Sequence, residues 1–107
     1  MFSNRPKAFE RLAGAYANAG IEKRYSCVPL EWYKQSHGWK DRAEIFVDSA
    51  VDLLASAAEK AIDGASLVTA DIDGIVTVSS TGLAVPSLDA LLMDRMPFRR
   101  DIQRLPI

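Results

Sequence analysis

The stretch Trp39 to Ile62 constrains this chain more than any other. Ala43, Phe46, Val47, Ala50, Val51, Leu54, Ala57, Ala58 and Ala61 recur at helical spacing and make one continuous apolar face. Asp41, Arg42, Glu44, Asp48, Asp52, Ser56, Glu59 and Lys60 fall mostly elsewhere. The spacing predicts one long helix, ended by Gly64. So many alanines let a neighbour approach closely, which suits burial between layers better than a place on the surface of a small protein.

Around this helix the pattern alternates. Pro6 to Asn18 reads as a first helix, with Phe9, Leu12, Ala13 and Tyr16 on one face. Pro6 suits its first turn, and Gly20 suits a left-handed cap after it. Ile21 to Val28 is short and β-leaning, closed by Pro29. After the polar turn Asp71-Ile72-Asp73-Gly74, Ile75 to Ser79 reads as a strand, and its run of β-branched residues implies cover on both faces. Ser87 is placed to cap a third helix, Leu88 to Arg95, with Asp89 complementing the helix dipole and Pro97 breaking the helix. Ile102 to Ile107 reads as a second strand. Helix–strand–helix–strand order implies an α/β layered fold over one domain, residues 1–107. Two strands make a poor sheet, and the long helix lacks an obvious second partner. The pattern therefore points to an incomplete fold or an obligate oligomer.

Composition excludes several classes. Thirteen Lys plus Arg against fourteen Asp plus Glu give a net charge of -1, which argues against a basic nucleic-acid-binding module. One Cys rules out an internal disulfide framework. No apolar run approaches the ~18 residues of a membrane span, and no signal core follows Met1, so a soluble, cytoplasmic setting is expected.

Candidate chemistry is sparse. Cys27 is the only thiol and His37 the only imidazole; a Cys27–His37 dyad is conceivable, but a small buried hydrophobe is the ordinary reading of Cys27. One Cys and one His cannot close a zinc site, and no metal is expected. Asp71 and Asp73 fit a solvated turn better than an acid–base pair. Trp32, Tyr33, His37 and Trp39 cluster in sequence, and packing beneath a helix start explains them better than a ligand does. Lys7, Arg11, Lys23 and Arg24 offer charge to a phosphate-bearing cofactor, though a solvated helix face explains them equally. Ser79-Ser80-Thr81-Gly82 follows the first strand, where α/β folds place ligands, and pocket lining is the role its position favours.

Three strings carry a resemblance. They are Gly20-Ile21-Glu22-Lys23-Arg24-Tyr25-Ser26-Cys27, then Ile72-Asp73-Gly74-Ile75-Val76-Thr77-Val78-Ser79-Ser80-Thr81-Gly82, then Pro86-Ser87-Leu88-Asp89-Ala90. Together they resemble the N-terminal half of a type III polyketide synthase, of the chalcone and stilbene synthase family in the thiolase superfamily, in its bacterial alkylpyrone and alkylresorcinol flavour. Ketoacyl synthase III enzymes share the first element and the strand, but usually lack the Ser-Thr-Gly and Pro-Ser pattern.

The resemblance implies a homodimer of layered thiolase-like subunits. In that family a Cys accepts an acyl group from a CoA thioester, while a His and an Asn support malonyl-CoA decarboxylation by stabilising developing charge. No further cofactor is implied. Ser80 and Thr81 match residues lining the reaction cavity in plant members, and Val85 matches a Met that crosses the dimer interface, with Pro86 after it. Arg11 matches the first of three basic residues facing the CoA phosphates, but Gly14 and Asn18 stand at the other two. Pro97 stands where a Gly is usual. Cys27 does not match the nucleophile, whose motif would follow Arg104-Leu105-Pro106-Ile107. The expectation is a partial domain, truncated at both ends and inactive alone. The alternatives are a dimerisation module derived from this fold and a truncated ketoacyl synthase III-type enzyme.

Overall fold

The computed structural model describes residues 6–107, with residues 6–9 and 11 described by their backbone alone. Two compact units are present, one ending at Lys34 and the other spanning Gln35–Ile107.

In the first unit, α1 spans Pro6–Asn18. It ends as the sequence predicts: Gly20 adopts φ +63°, a left-handed conformation that costs glycine little. Phe9 of the expected apolar face lies outside the described side chains, while Leu12 and Tyr16 are 47% and 64% exposed. Residues 21–28 carry no strand; Ser26 instead folds the chain locally, its hydroxyl donating to the Val28 carbonyl at 2.8 Å. A 3₁₀ turn, Leu30–Lys34, brings Trp32 edge-on to Tyr33 with ring centroids 5.3 Å apart.

The second unit opens with α2, Trp39–Gly64. Its exit differs in detail from expectation. The helix runs through Gly64, and Ser66 is the left-handed residue at φ +57°. The Leu67 N–H then donates back to the Ile62 carbonyl at 3.0 Å, closing the last turn. β1 (Gly74–Thr77) and β2 (Gln103–Pro106) form a two-stranded parallel sheet in the register Gly74↔Gln103 to Thr77↔Pro106. Parallel strands need a long crossover, and α3 (Leu88–Arg95) lies within it. The Gln103 and Ile107 N–H groups donate to the Asp73 and Thr77 carbonyls at 3.0 and 2.8 Å. By strand alternation the backbone nitrogen of Pro106 points away from β1, so its missing N–H breaks no ladder bond.

The core forms where α3 meets α2 and the sheet. Ala55, Leu92 and Met96 are buried together, with Leu54, Ala58, Ile62, Ile75 and Phe98 packed around them. Two expectations are corrected here. The buried stripe of α2 is rotated from the one read in the sequence: Ala55 is 5% exposed, whereas Ala57 and Ala61 are exposed. The face that matters is the one α3 selects, and alanine spacing alone did not distinguish it. The sheet is also covered on one face only. Thr77 is buried and Ile75 half-buried toward the core, but Val76 and Val78 are 63% and 69% exposed.

Charge is handled unevenly. Ser87 occupies the N-cap of α3 without a side-chain cap hydrogen bond. Asp89, expected to complement the helix dipole, stands in the first turn of α3 and is only 2% exposed. Arg104 on β2 donates to its Oδ2 at 3.0 Å, tying the crossover helix to the second strand, while its Oδ1 has no partner among the described residues. Arg99 pairs with Asp73 at 2.6 Å, and Arg95 with Asp52 at 3.0 Å, both at the surface.

These two kinds of pair predict different costs. Arg104→Met strands a buried carboxylate and should destabilise the chain by about 2–4 kcal/mol. Arg99→Met, whose partner Asp73 is 90% exposed, should cost under ~1 kcal/mol. Adding Asp89→Leu to Arg104→Met should restore much of the loss, because no charge then remains buried. Urea denaturation of the four chains measures all three.

Candidate functional site

The carboxyl ends of β1 and β2 open onto a cavity of about 250 Å³. Thr77, Ser79, Gly82, Ser87, Leu88 and Ile107 are among its walls. Its shape comes from backbone pairing. The Ser79 N–H donates to the Ile107 carbonyl at 3.2 Å, which carries the strand pairing past Thr77. The Ser79 hydroxyl donates to the Gly82 carbonyl at 2.8 Å and folds the loop back on itself. Three hydroxyl-bearing residues thus border a space beside apolar walls at the end of a parallel strand pair, where α/β sheets characteristically bind ligands.

On the other side of the Gly82–Leu83 backbone lies a smaller cavity of about 180 Å³, bounded by Thr81 and by Trp39, Arg42, Ala43 and Phe46 of α2. Gly82 is indispensable to this arrangement. A Cβ there would lie 2.5–2.7 Å from ring carbons of Phe46, so the aromatic ring sits directly on the glycine backbone. Neither Phe46 nor Ser87 was singled out from the sequence for this site. Only the glycine in a hydroxyl-rich loop hinted at a close approach.

The expected site residues fall in different places. Thr81 borders the smaller cavity, whereas Ser80 is exposed and borders neither. Val85 is 99% exposed and is joined to Pro86, also exposed, by a cis peptide bond. Arg11 and Lys7 lie outside the described side chains. Lys23 and Arg24 border an apolar groove of about 400 Å³ with Leu12, Tyr16 and Ile21, and the Lys23 ammonium lies 4.9 Å from the centre of the Tyr25 ring.

Cys27 is exposed. Asp71 accepts the Val68 N–H at 2.9 Å and Asp73 holds Arg99, so both serve the turn. Among the described residues no group of three His, Cys, Asp or Glu is placed to hold a metal ion. Nor, among the described residues, is any helix long and apolar enough to cross a membrane. Trp39 departs from the packing role expected for it. It is 73% exposed, and its ring takes the Arg42 guanidinium at 5.6 Å.

A parallel strand pair with its crossover helix, backed by a long alanine-rich helix, is a partial thiolase-like α/β fold. No family model matches the chain. It is 36% identical over 92 residues to a 1,3,6,8-tetrahydroxynaphthalene synthase of Streptomyces peucetius, covering 86% of this chain and 24% of that enzyme. It is 29% identical over 112 residues to a chalcone synthase-like protein of Bacillus subtilis, covering 100% of this chain and 31% of that one. The crystal structure of 1,3,6,8-tetrahydroxynaphthalene synthase from Streptomyces coelicolor, a bacterial type III polyketide synthase, matches 97% of this chain and 30% of its own with a TM-score of 0.82 at 30% identity. The chain belongs to the type III polyketide synthase family. It spans between a quarter and a third of the length of these relatives.

The contact at Gly82 yields a prediction. Gly82→Ala should destabilise the unit by roughly 1–3 kcal/mol through overpacking against Phe46. Shortening the ring in the double variant Gly82→Ala, Phe46→Leu should recover part of that loss, and urea denaturation of the single and double variants measures the coupling.

Proposed function

We propose that this chain is part of an acyltransferase that condenses acyl-CoA starters with malonyl-CoA, and that it supplies cavity wall rather than the nucleophile. The supporting observation is the hydroxyl-bordered cavity at the carboxyl ends of β1 and β2, found in a chain related to type III polyketide synthases. A condensing enzyme must hold a growing polyketide in a closed, mostly apolar space with a few polar anchors. The Ser79–Gly82 loop provides such a wall through Ser79 and Gly82, while Ser80 and Thr81, outside this cavity here, stand at positions that line the reaction cavity in plant members of the family. Arg11 is the position that the family resemblance puts forward for contact with the CoA phosphates.

Cys27 fits the acyl-accepting role poorly. It lies exposed outside any helix, without the helix N-terminus that commonly activates a catalytic thiol. The acyl-accepting Cys and its His and Asn partners are, in this reading, not among these 107 residues, and the chain is inactive alone. Its setting is cytoplasmic.

A second role has its own observation. Leu83 and Val85 are 80% and 99% exposed on the loop before α3, an apolar tip suited to a homodimer contact.

Two measurements test these readings. Incubating the purified chain with an acyl-CoA and malonyl-CoA should give no covalent acyl adduct by intact-mass spectrometry and no pyrone or resorcinol product. Acylation in good yield, lost in Cys27→Ala, would reverse the assignment of the thiol. If the loop makes the dimer, sedimentation should find a dimer for the native chain and a monomer for Val85→Asp.

A further inference from the structure

The geometry points to the smaller cavity, at the start of α2, as a binding site for a small aromatic or short-chain carboxylate. Three features of the cavity carry this, and none depends on the acyl-transfer reading.

The first is a cation without a counter-charge. Arg42 is exposed and makes two contacts: its Nε–H donates to the Gly38 carbonyl at 3.3 Å, and its guanidinium lies 5.6 Å from the centre of the Trp39 ring. Neither contact is a carboxylate. The nearby Glu44 pairs with Lys40 at 3.7 Å, and among the described residues no carboxylate forms an ion pair with Arg42. An arginine has five N–H donors, so the terminal ones remain available in a fixed fork that matches a carboxylate. Pre-ordering by backbone and ring lowers the entropy lost when that fork is used.

The second is an apolar floor. Ala43, Phe46 and Leu83 border the space. The Phe46 ring packs against the Gly82 backbone. The cavity measures about 180 Å³ and opens to solvent, and that space is of the order needed for one six-membered ring. A six-membered ring or a short acyl chain therefore fits.

The third is a polar group beside the cation. Thr81, an exposed residue carrying a hydroxyl, also borders the space. An apolar body seated on Phe46 would leave its carboxylate within the province of Arg42 and Thr81. This pairing of ring-sized floor and anchored cation is why the site selects an anion over a neutral molecule of the same shape.

Benzoate and its neutral isostere benzamide are suitable probes, titrated into the purified full chain and followed by calorimetry and by the Trp39 indole N–H signal in NMR spectra. Benzoate should bind saturably and about two- to fivefold more tightly than benzamide, the gain expected for an ion pair at an exposed arginine. Raising the salt concentration should erode that preference. Arg42→Gln should abolish the preference while leaving the fold intact, and Ala43→Phe, which fills the cavity, should block both probes. Folded native chain that binds no benzoate, binds both probes equally, or keeps its preference in Arg42→Gln would overturn the proposal. Because no CoA thioester enters these titrations, their failure is distinguishable from failure of the acyl-transfer reading.

Discussion

The structure of the second unit rests on the burial of one short helix. β1 and β2 lie side by side and parallel, and a parallel pair exists only if the chain between the strands returns across the sheet. α3 makes that return, and its own helical preference over eight residues is too weak to sustain it in water. What holds it is contact on both sides: Leu92 and Met96 against Ala55 of α2, with Ile75 of β1 packed on the same cluster. Burying side chains of this size is worth about 1.5–3 kcal/mol each. The pair Asp89–Arg104 adds direction to this non-directional force, because it joins the first turn of the helix to a single position on β2. A hydrophobic cluster alone would tolerate some sliding of the strand, and a hydrogen-bonded ion pair does not.

The cavity follows from that seating. Once α3 is fixed, the loop from Ser79 to Ser87 must bridge the end of β1 and the start of the helix. Its path is then set by the Ser79–Gly82 hydrogen bond and by the Phe46 ring under Gly82. The long helix thus does two jobs with residues of opposite size. Alanine at position 55 allows close approach to α3, and phenylalanine at position 46 props the loop that separates the two cavities.

How much of this could be read beforehand depended on how local the cause was. The long helix, the β1–α3–β2 order and the left-handed Gly20 follow from periodicity and from the conformational freedom of single residues, and they are legible in the sequence. Residues set by tertiary contact are not. Asp89 has the position of a helix-dipole partner and becomes a buried ion only because Arg104 arrives from a strand fifteen residues away. Ala55 looks no different from Ala57 until α3 chooses between them. The strand valines were read as covered on both faces, yet within this chain α3 and α2 occupy only one side of the sheet. The site was half legible for the same reason. A hydroxyl-rich loop after a strand is a local signal, but the Phe46 ring that props it comes from a different element.

The two cavities divided by the Gly82–Leu83 backbone differ in chemistry more than in size. The larger is bordered by serine and threonine and by backbone carrying the last strand hydrogen bonds, a neutral setting for a carbonyl or enol oxygen. The smaller has an arginine at its edge and an aromatic floor, a setting for an anion with a ring-sized body. A common wall means that the two cannot be altered separately at Gly82: any side chain there displaces Phe46 and reshapes both spaces at once. Substitutions confined to Arg42 leave the loop path untouched, because Arg42 is held by the Gly38 carbonyl and Trp39 rather than by the loop. The electrostatics of the smaller cavity can therefore change while the geometry of the larger one is preserved.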